Sequence, residues 1–203
     1  MEQFFQLEGH KLAYHPDRVA DFLAGCLVWP IYAEISPTSD CNHHCRFCNF
    51  NYLGHQGAYF PSGRLLTLVD ELKQAGVKAV VFAGAGEPSL HPDTFPAIRR
   101  AREIGLDVAM SSNGAALQDR QLREMAQYLT WVRFSVNGGT PAAYAACQGT
   151  GAGDLNVVLD NITRLFKYKE SFASSLTIGA QCVLLPENQN TLVELARRLK
   201  QAG

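Results

Sequence analysis

An α/β fold is predicted: about five βα units whose parallel strands form a curved, partial (βα) barrel. Three observations lead there. Short apolar runs alternate along the chain with longer stretches of helical spacing. The runs are apolar almost throughout, as strands buried on both faces are. Glycine and polar residues gather directly after each run, where barrel enzymes of this topology carry their chemistry.

The elements follow in order. Residues 1–15 read as a lead-in of no clear pattern. His15-Pro16-Asp17 marks a helix start, with proline near the first helical position. Val19, Phe22, Leu23, Cys26 and Leu27 then repeat at helical spacing, which predicts a core or semi-core position for Cys26, and Trp29-Pro30 closes the helix. Residues 1–30 are thus expected to be a lead-in and helix, and 31–203 the main domain. Ile31 to Ile35 is the first strand, and residues 49–61 are expected to be a polar loop wrapping the site. Leu65, Leu68, Val69 and Leu72 form a helical stripe ended by Gly76. Ala79–Ala83, Leu106–Met110, Trp131–Val136 and Leu176–Leu184 are the remaining strands. Between and after them, helical stripes run through Phe95, Ile98 and Ala101, through Leu122, Met125 and Leu129, through Leu155, Val158, Ile162 and Leu165, and through Leu192, Leu195 and Leu199.

Composition narrows the function. The chain has 203 residues, 47% hydrophobic and 18% charged, with a net charge of −1, which leaves no electrostatic footprint for nucleic acid or an anionic membrane. No basic, apolar leader opens the sequence, and no run approaches the ~20 apolar residues of a membrane helix. Six cysteines in a chain of this length are too few for a disulfide scaffold and fit a reducing, cytoplasmic setting.

Three of those cysteines lie within eight residues, in Cys41-Asn42-His43-His44-Cys45-Arg46-Phe47-Cys48, directly after the first strand. Thiolates are soft donors that stay deprotonated on metal. Three from one loop can hold three corners of an iron–sulfur cube and leave the fourth iron open. The same loop with His43 or His44 could instead complete a mixed zinc site. Cys147 and Cys182 are too few and too far apart for a second cluster, and Cys182 reads as a small core residue. His10, His15, His55 and His91 read as structural or surface residues.

The spacing C-x-x-x-C-x-x-C, with Phe47 before the last cysteine, resembles the signature of the radical S-adenosylmethionine (SAM) superfamily. The resemblance extends over roughly residues 31–202. The stretch Phe82-Ala83-Gly84-Ala85-Gly86-Glu87-Pro88 resembles the family's G-G-E-P segment, with Ala85 in place of a glycine. Ser112-Asn113-Gly114 resembles its T-N-G. Ser135-Val136-Asn137-Gly138, followed by Tyr144 and Gly149, resembles its S-x-D-G region, with Asn137 in place of the aspartate.

The resemblance implies a function. Cys41, Cys45 and Cys48 would hold a 4Fe–4S cluster, and SAM would chelate the open iron. Gly84, Gly86, Glu87, Ser112, Asn113, Ser135, Asn137 and Gln181 would bind SAM. Reductive cleavage of SAM would give a 5′-deoxyadenosyl radical that takes hydrogen from a peptide, a sugar or a small metabolite. The electron would come from a donor such as flavodoxin or ferredoxin. Each motif also has a plainer reading: Glu87 as a structural carboxylate, Asn-Gly as a turn pair, Gln181 as a satisfied core amide. Relatives in this family carry a sixth βα unit and further C-terminal sequence, in one subgroup a cysteine-rich domain for auxiliary clusters. The missing unit leads to the expectation of a truncated core domain, completed by a C-terminal half or a partner chain. The rival readings are a zinc- or cluster-binding module without activity, and a catalytically silent partner subunit.

Overall fold

The computed structural model describes residues 14–54 and 57–203. The reading of residues 1–13 as a lead-in, together with His10 and His55, falls outside them.

Five strands form one parallel sheet in the order of the sequence: β1 (Tyr32–Ile35), β2 (Ala79–Phe82), β3 (Asp107–Ser112), β4 (Trp131–Ser135) and β5 (Thr177–Gln181). Each strand pairs with its predecessor: Ile35 lies opposite Phe82, Phe82 opposite Met110, Ser112 opposite Phe134, and Ser135 opposite Gln181. The five βα units therefore form an open arc, a partial (βα) barrel of the TIM type, with β1 and β5 at its edges.

Side-chain alternation divides the sheet into two faces. Ile35, Val80, Phe82, Val108, Met110, Val132 and Phe134 point to the helical layer and are buried there. They meet the apolar stripes of α3 (Arg64–Gln74), α4 (Thr94–Glu103), α5 (Asp119–Tyr128) and α7 (Asp154–Ser171). Each fully buried Leu, Val or Phe of this layer contributes about 1.5–3 kcal/mol by leaving water. The other face carries a smaller apolar group, Val81, Ala83 and Ala109, with Tyr32 and Trp131 packed beside it.

Several details depart from the expectations. The first helix, α1 (Pro16–Leu23), forms where expected but buries no residue. Cys26 lies beyond it and is exposed, so the expectation of a core position was wrong. Helical spacing predicted a buried face, but no residue of α1 is buried among the described residues. Arg18 ties the helix down, donating to the carbonyls of Trp29 and Gly76. A short helix, α2 (Asn49–Tyr52), opens the stretch read as a loop. An extra helix, α6 (Pro141–Gln148), lies between β4 and α7. Strand β5 stops at Gln181, three residues before the apolar run ends, because the Val183 N–H turns aside to the Asn137 side chain. The last helix is α8 (Leu192–Ala202). Among the described residues, no helix is long and apolar enough to cross a membrane.

Candidate functional site

The loops after β1, β2, β3 and β4 converge at one end of the sheet. Parallel strands all deliver their C-terminal ends to the same side, so residues far apart in sequence meet there.

The cysteine loop after β1 is seated on the end of α6. That helix starts on Thr140, whose hydroxyl accepts the Ala143 N–H at 3.3 Å, with Pro141 as its first residue. It ends at Gly149, whose φ of +60° is the left-handed conformation glycine adopts freely. The His44 N–H donates to the Gln148 carbonyl at 3.0 Å, and the Arg46 N–H to the Cys147 carbonyl at 3.1 Å. Gly149 lies so close that a Cβ there would stand 2.2 Å from the His44 carbonyl oxygen. His43 turns inward, its ring edge-on to Tyr144 at 6.2 Å and its Nε2 3.3 Å from a carboxylate oxygen of Asp154. Burial lowers its pKa, opposed by the Asp154 charge.

Cys41, Cys45 and Cys48 are all unpaired thiols of intermediate exposure. Burial raises the pKa of Cys41, and it pushes Cys45 up to about 12, with the other two thiols adding to the rise. Both other thiols are near enough to Cys45 to add to its rise. Neither histidine completes a set with them: His43 faces Asp154, and His44 Nδ1 lies 3.2 Å from the Asn51 side-chain oxygen. Among the described residues, no three His, Cys, Asp or Glu side chains gather closely enough for a single metal ion. Three thiolates on one loop are soft donors of the kind that hold an iron–sulfur cluster, one to each of three irons.

The second loop is clamped against the first. Gly86 passes so close that a Cβ there would lie 2.2 Å from the Asp40 carbonyl oxygen, and the Glu87 N–H donates to that oxygen at 2.8 Å. The Ala85 N–H donates to the Ser36 hydroxyl.

The eight candidate SAM-binding residues fall into two groups. Gly84 and Gln181 are exposed, and Gly86 and Ser135 are half-buried. The others are closed within the protein. Glu87 is buried and accepts the Ser89 N–H at 3.1 Å, the Ser112 hydroxyl at 2.8 Å and the Asn113 N–H at 2.7 Å. Burial raises its pKa despite these donors. The Asn113 side chain donates to the Asn42 oxygen at 2.7 Å and points the same amino group at the Cys41 sulfur, 3.9 Å away. Asn137 accepts the Val183 N–H at 2.6 Å and donates to the Gln148 oxygen at 3.1 Å. Gln181 is exposed on β5, so the reading of it as a core amide does not hold.

Gln148 is the residue the sequence did not reveal. It is fully buried, donates to the Ser135 carbonyl at 2.7 Å, and accepts from Asn137 and from the Cys45 thiol, the last at 2.8 Å.

Comparison with known proteins identifies the fold's relatives. The profile of the Radical SAM superfamily matches residues 35–199, which span every loop just described. The chain belongs to the radical SAM superfamily. It is 30% identical over 176 residues to the tungsten-containing aldehyde ferredoxin oxidoreductase cofactor-modifying protein of Pyrococcus furiosus, covering 85% of this chain and 48% of that protein. It is 27% identical over 151 residues to a probable GTP 3',8-cyclase of Thermococcus kodakarensis, covering 71% of this chain and 47% of that one. Among solved structures, Streptococcus suis SuiB bound to precursor peptide SuiA superposes with a TM-score of 0.71 at 17% identity, over 94% of this chain and 42% of that one. The chain thus spans less than half the length of these radical SAM relatives. The superfamily uses a 4Fe–4S cluster and SAM, and the three-thiol loop is a donor set that fits the cluster.

Proposed function

We propose that this chain carries the reductive SAM-cleaving centre of a radical SAM enzyme. The observation that supports it most is the cysteine loop. Three free thiols stand on one loop, tied to the loops after β2, β3 and β4.

In this reading Cys41, Cys45 and Cys48 hold the cluster. Gly84, Gly86, Ser135 and Gln181 offer backbone and side-chain contacts to SAM from accessible positions. Ser112 and Asn113, closed behind them, are tied to Glu87. Glu87 and Asn137 act at one remove, by fixing the loops that present those contacts. When bound, the cluster would supply the electron for reductive cleavage of SAM, the source of the 5′-deoxyadenosyl radical chemistry by which the family abstracts hydrogen. The protein's share is to position the groups and exclude water. An external donor such as flavodoxin or ferredoxin supplies the electron. The substrate is a peptide, a sugar or a small metabolite.

The test is electron paramagnetic resonance of the iron- and sulfide-reconstituted, reduced chain, with and without SAM. A cubane signal that changes shape on adding SAM is expected. Alanine at Cys41, Cys45 or Cys48 should abolish it, and alanine at Cys147 should not. Zinc without a cluster, or a cubane signal indifferent to SAM, would count against the proposal.

A further inference from the structure

Two of the three cluster cysteines face the side-chain amide of a buried residue, and the two amides present opposite ends. The orientation of each follows from main-chain partners whose roles are fixed. The Val183 N–H can only donate, so the Asn137 atom that meets it at 2.6 Å is the oxygen. The nitrogen of Asn137 therefore faces Gln148 and meets its oxygen at 3.1 Å. The Ser135 carbonyl can only accept, so the Gln148 atom 2.7 Å from it is the nitrogen. A main-chain donor at one end of this relay and a main-chain acceptor at the other leave the Gln148 oxygen pointing at Cys45, 2.8 Å from its sulfur. At Cys41 the arrangement is reversed. The Ala115 N–H donates to the Asn113 oxygen at 2.9 Å, which turns the Asn113 nitrogen towards Asn42 and the Cys41 sulfur. In neither case is the amide free to turn over without losing a hydrogen bond to the main chain.

We propose that Gln148 and Asn113 are a pair of opposed positioning residues that set the reduction potential of the cluster. Gln148 lowers it by aiming a carbonyl oxygen at Cys45, and Asn113 raises it by aiming an N–H at Cys41. A donor directed at a cysteine sulfur stabilises the more negative, reduced cluster, whereas the negative end of a dipole disfavours it. In the metal-free chain the Cys45 thiol donates to Gln148. Ligation removes that proton and leaves an oxygen facing a sulfur that has only lone pairs. Burial strengthens both effects, since Gln148 is fully buried and Asn113 is 7% exposed. The inference rests on the proposed ligand role of Cys41 and Cys45.

The experiment is a redox titration of the reconstituted chain without SAM, followed by electron paramagnetic resonance, for wild type, Gln148→Met and Asn113→Leu. Iron and sulfide content and the melting temperature of each metal-free protein are measured in parallel. Both substitutions keep roughly the volume and remove the dipole. The midpoint potential is expected to rise in Gln148→Met and to fall in Asn113→Leu. A residue that only supports the fold would lower the melting temperature and leave the potential of the remaining cluster in place. Each variant is compared with wild type on its own, so a variant that fails to load leaves the other to decide. Unmoved potentials, or shifts of the same sign in both, overturn the inference while the ligand assignment stands. Loss of the cluster from both assigns the amides to holding the loop and also overturns it. A wild-type chain that takes up no iron and sulfide overturns the ligand assignment and this inference together.

Discussion

The Asn113 backbone N–H donates to the Glu87 carboxylate at 2.7 Å, so the loop after β2 holds the loop after β3. One carboxylate gathers three donors from two loops, all in the interior. Glu87→Gln replaces one accepting oxygen with an amino group and sets it against an N–H. A loss of about 1–3 kcal/mol in stability is expected from that unsatisfied donor. Chemical denaturation of the metal-free chain measures it, and a loss below the error of the fit would mean that the carboxylate is not the tie described.

Gly149→Ala should damage the cysteine loop selectively. The new Cβ would meet the His44 carbonyl oxygen at 2.2 Å, at a φ of +60° that side chains rarely adopt. Overpacking of this sort costs about 1–3 kcal/mol, and here the yielding element is the loop itself. Iron retention after reconstitution should drop. Gly151→Ala, two residues on with nothing within 4 Å, should retain wild-type iron.

Acid should loosen the contact between α5 and α7. Asp119 accepts from Tyr168, Arg123 and Arg164, and these hydrogen bonds hold its pKa well below the usual carboxylate range. A depressed folded pKa gives stability that is present above the unfolded value near 4 and is lost as pH falls through the folded one. Asp119 is partly exposed, so solvent screens the effect. Melting temperature followed from pH 6 to pH 2 should fall less in Asp119→Asn than in wild type; parallel curves would remove Asp119 from the account.

Thiol chemistry should separate the scattered cysteines. Cys26 is exposed, while Cys147 is fully buried, with its thiol pKa raised by that burial. In the metal-free folded chain, an alkylating reagent should modify Cys26 at once and Cys147 only on unfolding. Peptide mass spectrometry reads both, and early labelling of Cys147 would contradict the packing of α6.

The strands were legible in the sequence because the helix-facing side needs Val, Ile, Phe and Met at positions such as Val80, Phe82 and Met110, and few other residues fit. The cysteine loop was legible because its chemistry lies within eight residues. Helix α6 was not, since Pro141-Ala142-Ala143-Tyr144-Ala145-Ala146-Cys147-Gln148 has too many alanines to show a stripe. Gln148 was invisible for a different reason: its partner Cys45 lies 103 positions away, and nothing local marks the pairing. Glu87, Ser112, Asn113 and Asn137 were recognised as a set, but not that Ser112 and Asn113 bond to Glu87 while Asn137 bonds to Gln148 and Val183. Motif spacing records that residues meet; which of them face inward depends on loop packing that spacing does not encode.

The strand order has a consequence for biogenesis. Each strand joins the one made just before it, so the sheet can grow as the chain leaves the ribosome. The seat of the cysteine loop cannot. Its supports at Cys147, Gln148 and Gly149 are translated about a hundred residues after Cys45. A nascent chain therefore displays three thiols on an unsupported loop until α6 has emerged, and a cluster held there would gain its seat only after that helix is made.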